Sequence, residues 1–188
     1  LPSKNIDQHV REQLSRLQEG CVLLANENLQ DPNFSSTVVL ICAHTKDGAY
    51  GLIVNRPSHM PLCEVFSTDA FDGSELRKIY IGGPVRQEVM QLLQITDSPK
   101  SNSYQIARNV HLGGDWTSLD EILAADDSSI MLFLGYSGWA PDQLEDEIKQ
   151  GAWDVYSVKL KELLNSQEPR LYGDLDDIRE YLESIRRT

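Results

Sequence analysis

The strongest constraint on the fold is residues 37–43, Thr-Val-Val-Leu-Ile-Cys-Ala, a charge-free run rich in β-branched side chains. Successive side chains of a strand point to opposite faces, so an apolar run without polar alternation fits a strand covered on both sides. Lys46-Asp47-Gly48 supplies a turn, and residues 49–55 resume as a second strand. The pair is predicted to form a β-hairpin with His44 near its bend. Asn55-Arg56-Pro57 ends it, because proline donates no hydrogen bond and biases Arg56 away from helix.

Around this hairpin the pattern alternates between short strands and short helices. Ile6, Val10, Leu14 and Leu17 recur at helical spacing, which predicts an amphipathic helix over residues 4–18 that Gly20 can stop. Strands are expected over residues 21–25, 78–81, 89–95, 104–107, 110–112, 130–134 and 153–158. A short helix fits residues 62–66. Thr117 or Ser118 can cap a helix through Ala125, and Pro141 suits the start of one reaching Gln150. Two more fit residues 160–165 and 175–185. There is no repeat, low-complexity tract or linker. The expectation is therefore one compact α+β domain over residues 1–188, with a largely antiparallel or mixed sheet and flanking helices. A chain of this length buries about 70% of its unfolded surface, enough for a core without staples.

Charge narrows the partners. The 29 acidic and 17 basic residues give a net charge of −12. Such a balance argues against neutralising a nucleic-acid backbone or docking on an anionic membrane. From Asp120 onward 16 acidic residues face 7 basic ones, so residues 1–119 are the place to expect any basic patch. The three cysteines, Cys21, Cys42 and Cys63, have no metal spacing and fit a reducing compartment. No run approaches the ~20 apolar residues of a membrane span, and the start lacks a secretory layout, so a cytoplasmic location is expected.

Motifs for familiar chemistry are absent. The chain has no Walker-type loop, no dinucleotide-binding glycine pattern and no zinc-protease helix. Leu134-Gly135-Tyr136-Ser137-Gly138-Trp139 comes nearest a serine-hydrolase elbow, but its glycines do not align with the serine. His44, His59 and His111 with Asp115 match no metal-ligand spacing. No catalytic set, metal or cofactor is predicted.

Four segments together carry a family resemblance. They are residues 20–57, residues 79–85 (IYIGGPV), residues 111–115 (HLGGD) and residues 134–153 (LGYSGWAPDQLEDEIKQGAW). In this order and spacing they resemble the YqgE/AlgH family of bacterial proteins over residues 20–158, with the first helix and the acidic tail outside. The family often has proline where Glu27 stands and a basic residue where Ser36 stands. The resemblance implies a compact α+β fold. It also implies a link to transcriptional regulation, a label drawn from one member's genetic effect on exopolysaccharide production. It brings no catalytic residues.

The remaining candidates are binding residues. Gly135, Tyr136, Gly138 and Trp139 fall at an expected strand-to-helix junction, where backbone N–H groups can meet an anion. Gln143 and Glu147, four apart on the following helix, share a face beside Trp139. Asn55 and Arg56 end the hairpin, and a loop arginine can grip a phosphate or carboxylate. Gly82 and Gly83 can let a ligand approach the backbone. The leading expectation is a non-enzymatic binding or regulatory protein for a small anion or a protein partner. The alternatives are an enzyme using Glu147 or His44 as acid or base, and a transcriptional regulator acting indirectly rather than through direct DNA binding.

Overall fold

A computed structural model describes residues 7–29, 31–58, 79–126 and 128–187. The helix expected over residues 62–66, His59 and Cys63 lie outside the described residues. Among the described residues there are ten strands: β1 Val22–Ala25, β2 Val38–Thr45, β3 Gly48–Ile53, β4 Pro57–Ser58, β5 Ile79–Ile81, β6 Val85–Ile95, β7 Ser103–Ala107, β8 Val110–Gly113, β9 Ile130–Trp139 and β10 Trp153–Tyr156. They join in the order β10-β1-β2-β3-β9-β6-β8-β7, with β5 added to β9 and β4 to β5. Every pairing is antiparallel except β5 with β9. The helices among the described residues are α1 Gln8–Ser15, α2 Leu119–Ala124, α3 Gln143–Lys149, α4 Leu160–Leu164 and α5 Leu175–Ser184.

The apolar run of β2 is explained by helices on both faces of the sheet. Val22, Leu24, Val38, Leu40, Cys42, Leu52 and Val54 pack inward with Leu163, Leu164, Ile178 and Leu182 of α4 and α5. Their alternates Leu23, Val39, Ile41 and Ile53 pack outward with Leu144 and Ile148 of α3, and Leu14 of α1 packs against them. A third outward cluster joins Leu92, Ile130, Leu132 and Leu134 to Ile122 of α2. Helices this short are marginal alone, so these faces hold them in place. Capping helps: Ser118 accepts from the Glu121 N–H, and Asp174 and Asp177 form a reciprocal capping box on α5.

The sheet also curls. Gly20, just ahead of β1, abuts Ala107 and Ile106 of β7, although β1 and β7 stand far apart in strand order. The predicted hairpin forms between β2 and β3, with Leu40 opposite Leu52 and Thr45 opposite Gly48.

Two of the boundaries that differ from the sequence reading bear on the candidate residues. β9 does not stop before Gly135 but runs to Trp139, because Ser137, Gly138 and Trp139 pair with Gly51, Tyr50 and Ala49 of β3. The expected strand-to-helix junction therefore moves past Trp139. The helix starts at Gln143 rather than Pro141, because Asp142 takes a left-handed conformation at φ 65°. No helix among the described residues is long and apolar enough to cross a membrane.

Candidate functional site

The candidate glycines meet at a fork in the sheet. β9 pairs with β5 over residues 132–134 and with β3 over residues 137–139, and Gly82 sits where the two partners diverge. Its N–H donates to the Leu134 carbonyl at 2.8 Å, and its carbonyl accepts the Ile53 N–H at 2.8 Å. The same carbonyl accepts Ser137 Oγ at 3.1 Å, so this buried hydroxyl is held by backbone rather than poised as a nucleophile. A Cβ on Gly82 would press into the Gly135 carbonyl, and one on Gly83 into the backbone of Tyr136. Gly82, Gly83 and Gly135 thus let three backbones touch. Gly138 is exposed, with open space beside it except for the Tyr136 ring. Tyr136 stacks on Tyr50 with ring centroids 4.6 Å apart, on the inward face. Burial pushes the Tyr50 phenol above its ordinary range, reinforced by Cys42 and Tyr136.

Trp139 lies on the opposite face. It packs with Trp153 at 5.8 Å between ring centroids, and Phe34 covers both at 6.2 Å and 5.5 Å. Glu147 of α3 borders this aromatic layer. Its Oε2 and Trp153 Nε1 are buried and outside hydrogen-bonding geometry. Burial raises the Glu147 carboxyl above its ordinary value; the nearby Trp153 and Trp139 indole N–H groups oppose this, and the charge of Asp31 adds to it. An acid with a raised folded pKa favours the folded state below its unfolded pKa and loses that contribution as pH rises through the folded one. Glu147→Gln is therefore expected to melt above the parent at pH 7, with the gap narrowing on acidification through the carboxylate range. Paired thermal melts at the two pH values check this, and a constant gap would contradict it.

Asn55 and Arg56 hold loops together. Asn55 Oδ1 accepts the Val38 N–H at 2.8 Å, and Nδ2 donates to the carbonyls of Ser36 and Leu171 at 3.0 and 3.1 Å. The Arg56 guanidinium donates to the carbonyls of Asn33 at 2.5 Å and Ser35 at 3.4 Å. A cleft of about 200 Å³ lies between these two residues and Tyr172 and Gly173. Gln143 Oε1 folds back to accept the Ala140 N–H at 2.9 Å, fixing the turn into α3. His44 Nε2 meets Glu145 Oε1 at 2.5 Å. Although burial pushes the Glu145 carboxyl up, the hydrogen bond from His44, its own backbone, and the charges of His44 and Lys149 hold it below its ordinary value.

The sequence-predicted residues therefore occupy three places rather than one: the glycine fork with Tyr136, the aromatic layer with Trp139 and Glu147, and the Asn55–Arg56 cleft. A larger concavity was not legible from sequence. A groove of about 630 Å³ runs between the β7–β8 turn, the start of α4 and the C-terminal end. Arg108, Lys159, Lys161 and Arg187 line it, with Glu162 the one acid beside them. All four cations are exposed, and among the described residues none of them is in an ion pair. Arg170, Arg179 and Arg186, by contrast, are all bound to carboxylates. The expectation that a basic patch would come from residues 1–119 is corrected here: three of the four cations belong to the acid-rich end, brought to Arg108 by the curl of the sheet. A smaller cleft of about 240 Å³ adjoins it through Asn109 and Lys161.

Comparison with known proteins places this architecture. A family model described as AlgH-like matches residues 22–176. The chain belongs to the AlgH-like family. A relative from Chlorobaculum tepidum, a UPF0301 protein, is 31% identical over 160 residues, covering 84% of each chain. A UPF0301 protein of Chlamydia muridarum is 33% identical over 162 residues, covering 85% of each. The solution structure of the AlgH protein from Pseudomonas aeruginosa superposes with a TM-score of 0.67 at 25% identity, covering 89% of this chain and 87% of that one. A crystal structure from Corynebacterium diphtheriae gives 0.61 at 26% identity, covering 74% and 75%. Two of the segments that carried the AlgH-like resemblance, IYIGGPV and LGYSGW, are the ones that meet at the glycine fork. Close backbone contact is a physical reason for those residue types.

Proposed function

We propose that this AlgH-like chain is a non-enzymatic binding protein for a small anion, and that the groove between the β7–β8 turn and α4 is its site. One observation carries the reading: four exposed cations, without ion pairs among the described residues, line a single groove in a chain of net charge −12. Like charges kept together without counter-ions repel one another, and an anionic ligand relieves that repulsion. The groove volume falls within the few-hundred to one-thousand Å³ range of small-molecule sites. Glu147 and His44, the acid–base candidates, do not line it, which favours binding over catalysis. A regulatory role follows indirectly, through ligand-dependent contact with a protein partner. The charge balance of the chain still disfavours direct DNA binding.

The test is a thermal-shift series at low ionic strength with inorganic phosphate, pyrophosphate and citrate. A ligand present at 100 times its dissociation constant adds about 2.7 kcal/mol, a rise of roughly 5–10 °C for a domain of this size. The rise is expected to disappear in Lys161→Glu and to persist in Arg56→Ala. Loss in Arg56→Ala alone would move the site to the Asn55–Arg56 cleft. No shift with any anion would reject the reading.

A further inference from the structure

Resting on that reading, we infer that the ligand of this groove is an amphipathic anion: a phosphate or carboxylate head joined to an aliphatic body. The floor between the cations is apolar. Val158 is 2% exposed and belongs to the inward core. Ala107 and Leu160, only half-buried, pack against that core while also lining the groove. The hydrophobic layer of the protein therefore surfaces here, ringed by Arg108, Lys159, Lys161 and Arg187. The methylene stems of those lysines and arginines extend the apolar surface, while their heads remain free for charge.

Size points the same way. An inorganic anion engages the cations but leaves most of a groove of about 630 Å³ wet, including Leu160. A ligand whose body covers the floor removes that apolar surface from water, the dominant source of small-molecule affinity. Asn109 and Asn165 offer amide donors and acceptors along the walls, suited to fixing the head or an ester linkage. Phosphate and carboxylate heads share the chemistry that the cations read, so the experiment uses both.

Isothermal titration would compare inorganic phosphate with ethyl, butyl and hexyl phosphate, and acetate with hexanoate, on the parent, Leu160→Asn and Lys161→Gln. In the parent, affinity is expected to tighten about three- to four-fold for each methylene that reaches the floor, and then level off. Leu160→Asn is expected to flatten this chain-length dependence. Lys161→Gln is expected to weaken every member alike. Leu160→Ala, a milder truncation, replaces Leu160→Asn if circular dichroism shows the latter unfolded. Equal affinity for inorganic and hexyl phosphate would overturn the amphipathic inference while leaving anion binding intact. A chain-length trend retained in Leu160→Asn would place the aliphatic body elsewhere and also overturn it. Binding of no member would reject both readings. Binding only to vesicles of anionic lipid, with no response to monomeric alkyl phosphates, would replace the small molecule with a membrane surface and defeat the inference.

Discussion

Gly135→Ala is expected to lower the stability of the folded chain by about 3 kcal/mol, or to prevent its accumulation as folded protein. Two penalties add at this position. The backbone is left-handed at φ 72°, which costs a side-chain-bearing residue about 1–2 kcal/mol. A Cβ there would also lie 2.6 Å from the Gly83 carbonyl oxygen and 2.8 Å from that of Val85. Those atoms belong to backbone in the sheet fork, so they cannot rotate away, and overpacking of this kind adds about 1–3 kcal/mol. Urea titration should show a lower midpoint with an unchanged slope, since the surface exposed on unfolding is the same. Two controls separate the causes. Gly113 shares a positive φ of 79°, but a Cβ added there would meet nothing within 4 Å, so Gly113→Ala isolates the strain. Gly138 lacks the positive φ, and its nearest neighbour would be a Tyr136 ring carbon at 3.5 Å, so Gly138→Ala should be tolerated. A Gly135→Ala midpoint no lower than that of Gly113→Ala would show that the fork can open.

The same residue explains where the fold was legible and where it was not. Residues 37–43 and 49–55 announced their strands because both faces are buried, and burial leaves a local signature in residue type. Ser118 marked a helix start for an equally local reason, a cap hydroxyl that accepts the Glu121 N–H. Gly135 misled, because a glycine after an apolar run resembles a strand end. It is instead the point where β9 exchanges one neighbour, β5, for another, β3. The cause lies 53 residues away at Gly82, and no local pattern carries it. β4 was read only as a break at Pro57, since its pairing with β5 depends on strand residues more than 20 positions further on.

The binding surface was less legible still. Arg108-Asn109 reads as a turn and Lys159-Leu160-Lys161 as a helix start, each ordinary by itself. A bridge between Val158 and Arg186 sets Lys159 beside Arg187, and the curl of the sheet brings Arg108 to them. Counting charge along the chain pointed to its first 119 residues, because linear charge density ignores which carboxylates are already paired. In the folded chain Asp154, Glu168, Glu180 and Glu183 are engaged with Arg179, Arg170 and Arg186. The acid-rich end thus neutralises part of its own acidity in ion pairs, and its unpaired cations collect at the groove. Arg56 shows the converse: a loop arginine that looked free for a ligand already donates to two carbonyls.

Asn55→Ala is expected to cost about 2–3 kcal/mol, although the side chain lies at the end of a strand rather than in the core. Its amide ties three segments together, and truncation leaves the Val38 N–H and the Leu171 carbonyl without their partner. Val38 is fully buried, so water cannot replace the lost acceptor without opening β2. Leaving one buried polar group unsatisfied costs about 1–3 kcal/mol, more than the net worth of an ordinary hydrogen bond. Asn55→Asp discriminates between the groups: it keeps an acceptor for Val38 but loses both donors and sets a carboxylate against the carbonyls of Ser36 and Leu171. If the link to Leu171 matters most, Asn55→Asp should be as unstable as Asn55→Ala, and hydrogen exchange should rise in the Pro169–Tyr172 turn before the β2–β3 hairpin. If Asn55→Asp retains most of the parent's stability, the Val38 acceptor carries the effect. An Asn55→Ala variant as stable as the parent would relieve the side chain of a structural duty and leave its amide available to a ligand in the adjoining cleft.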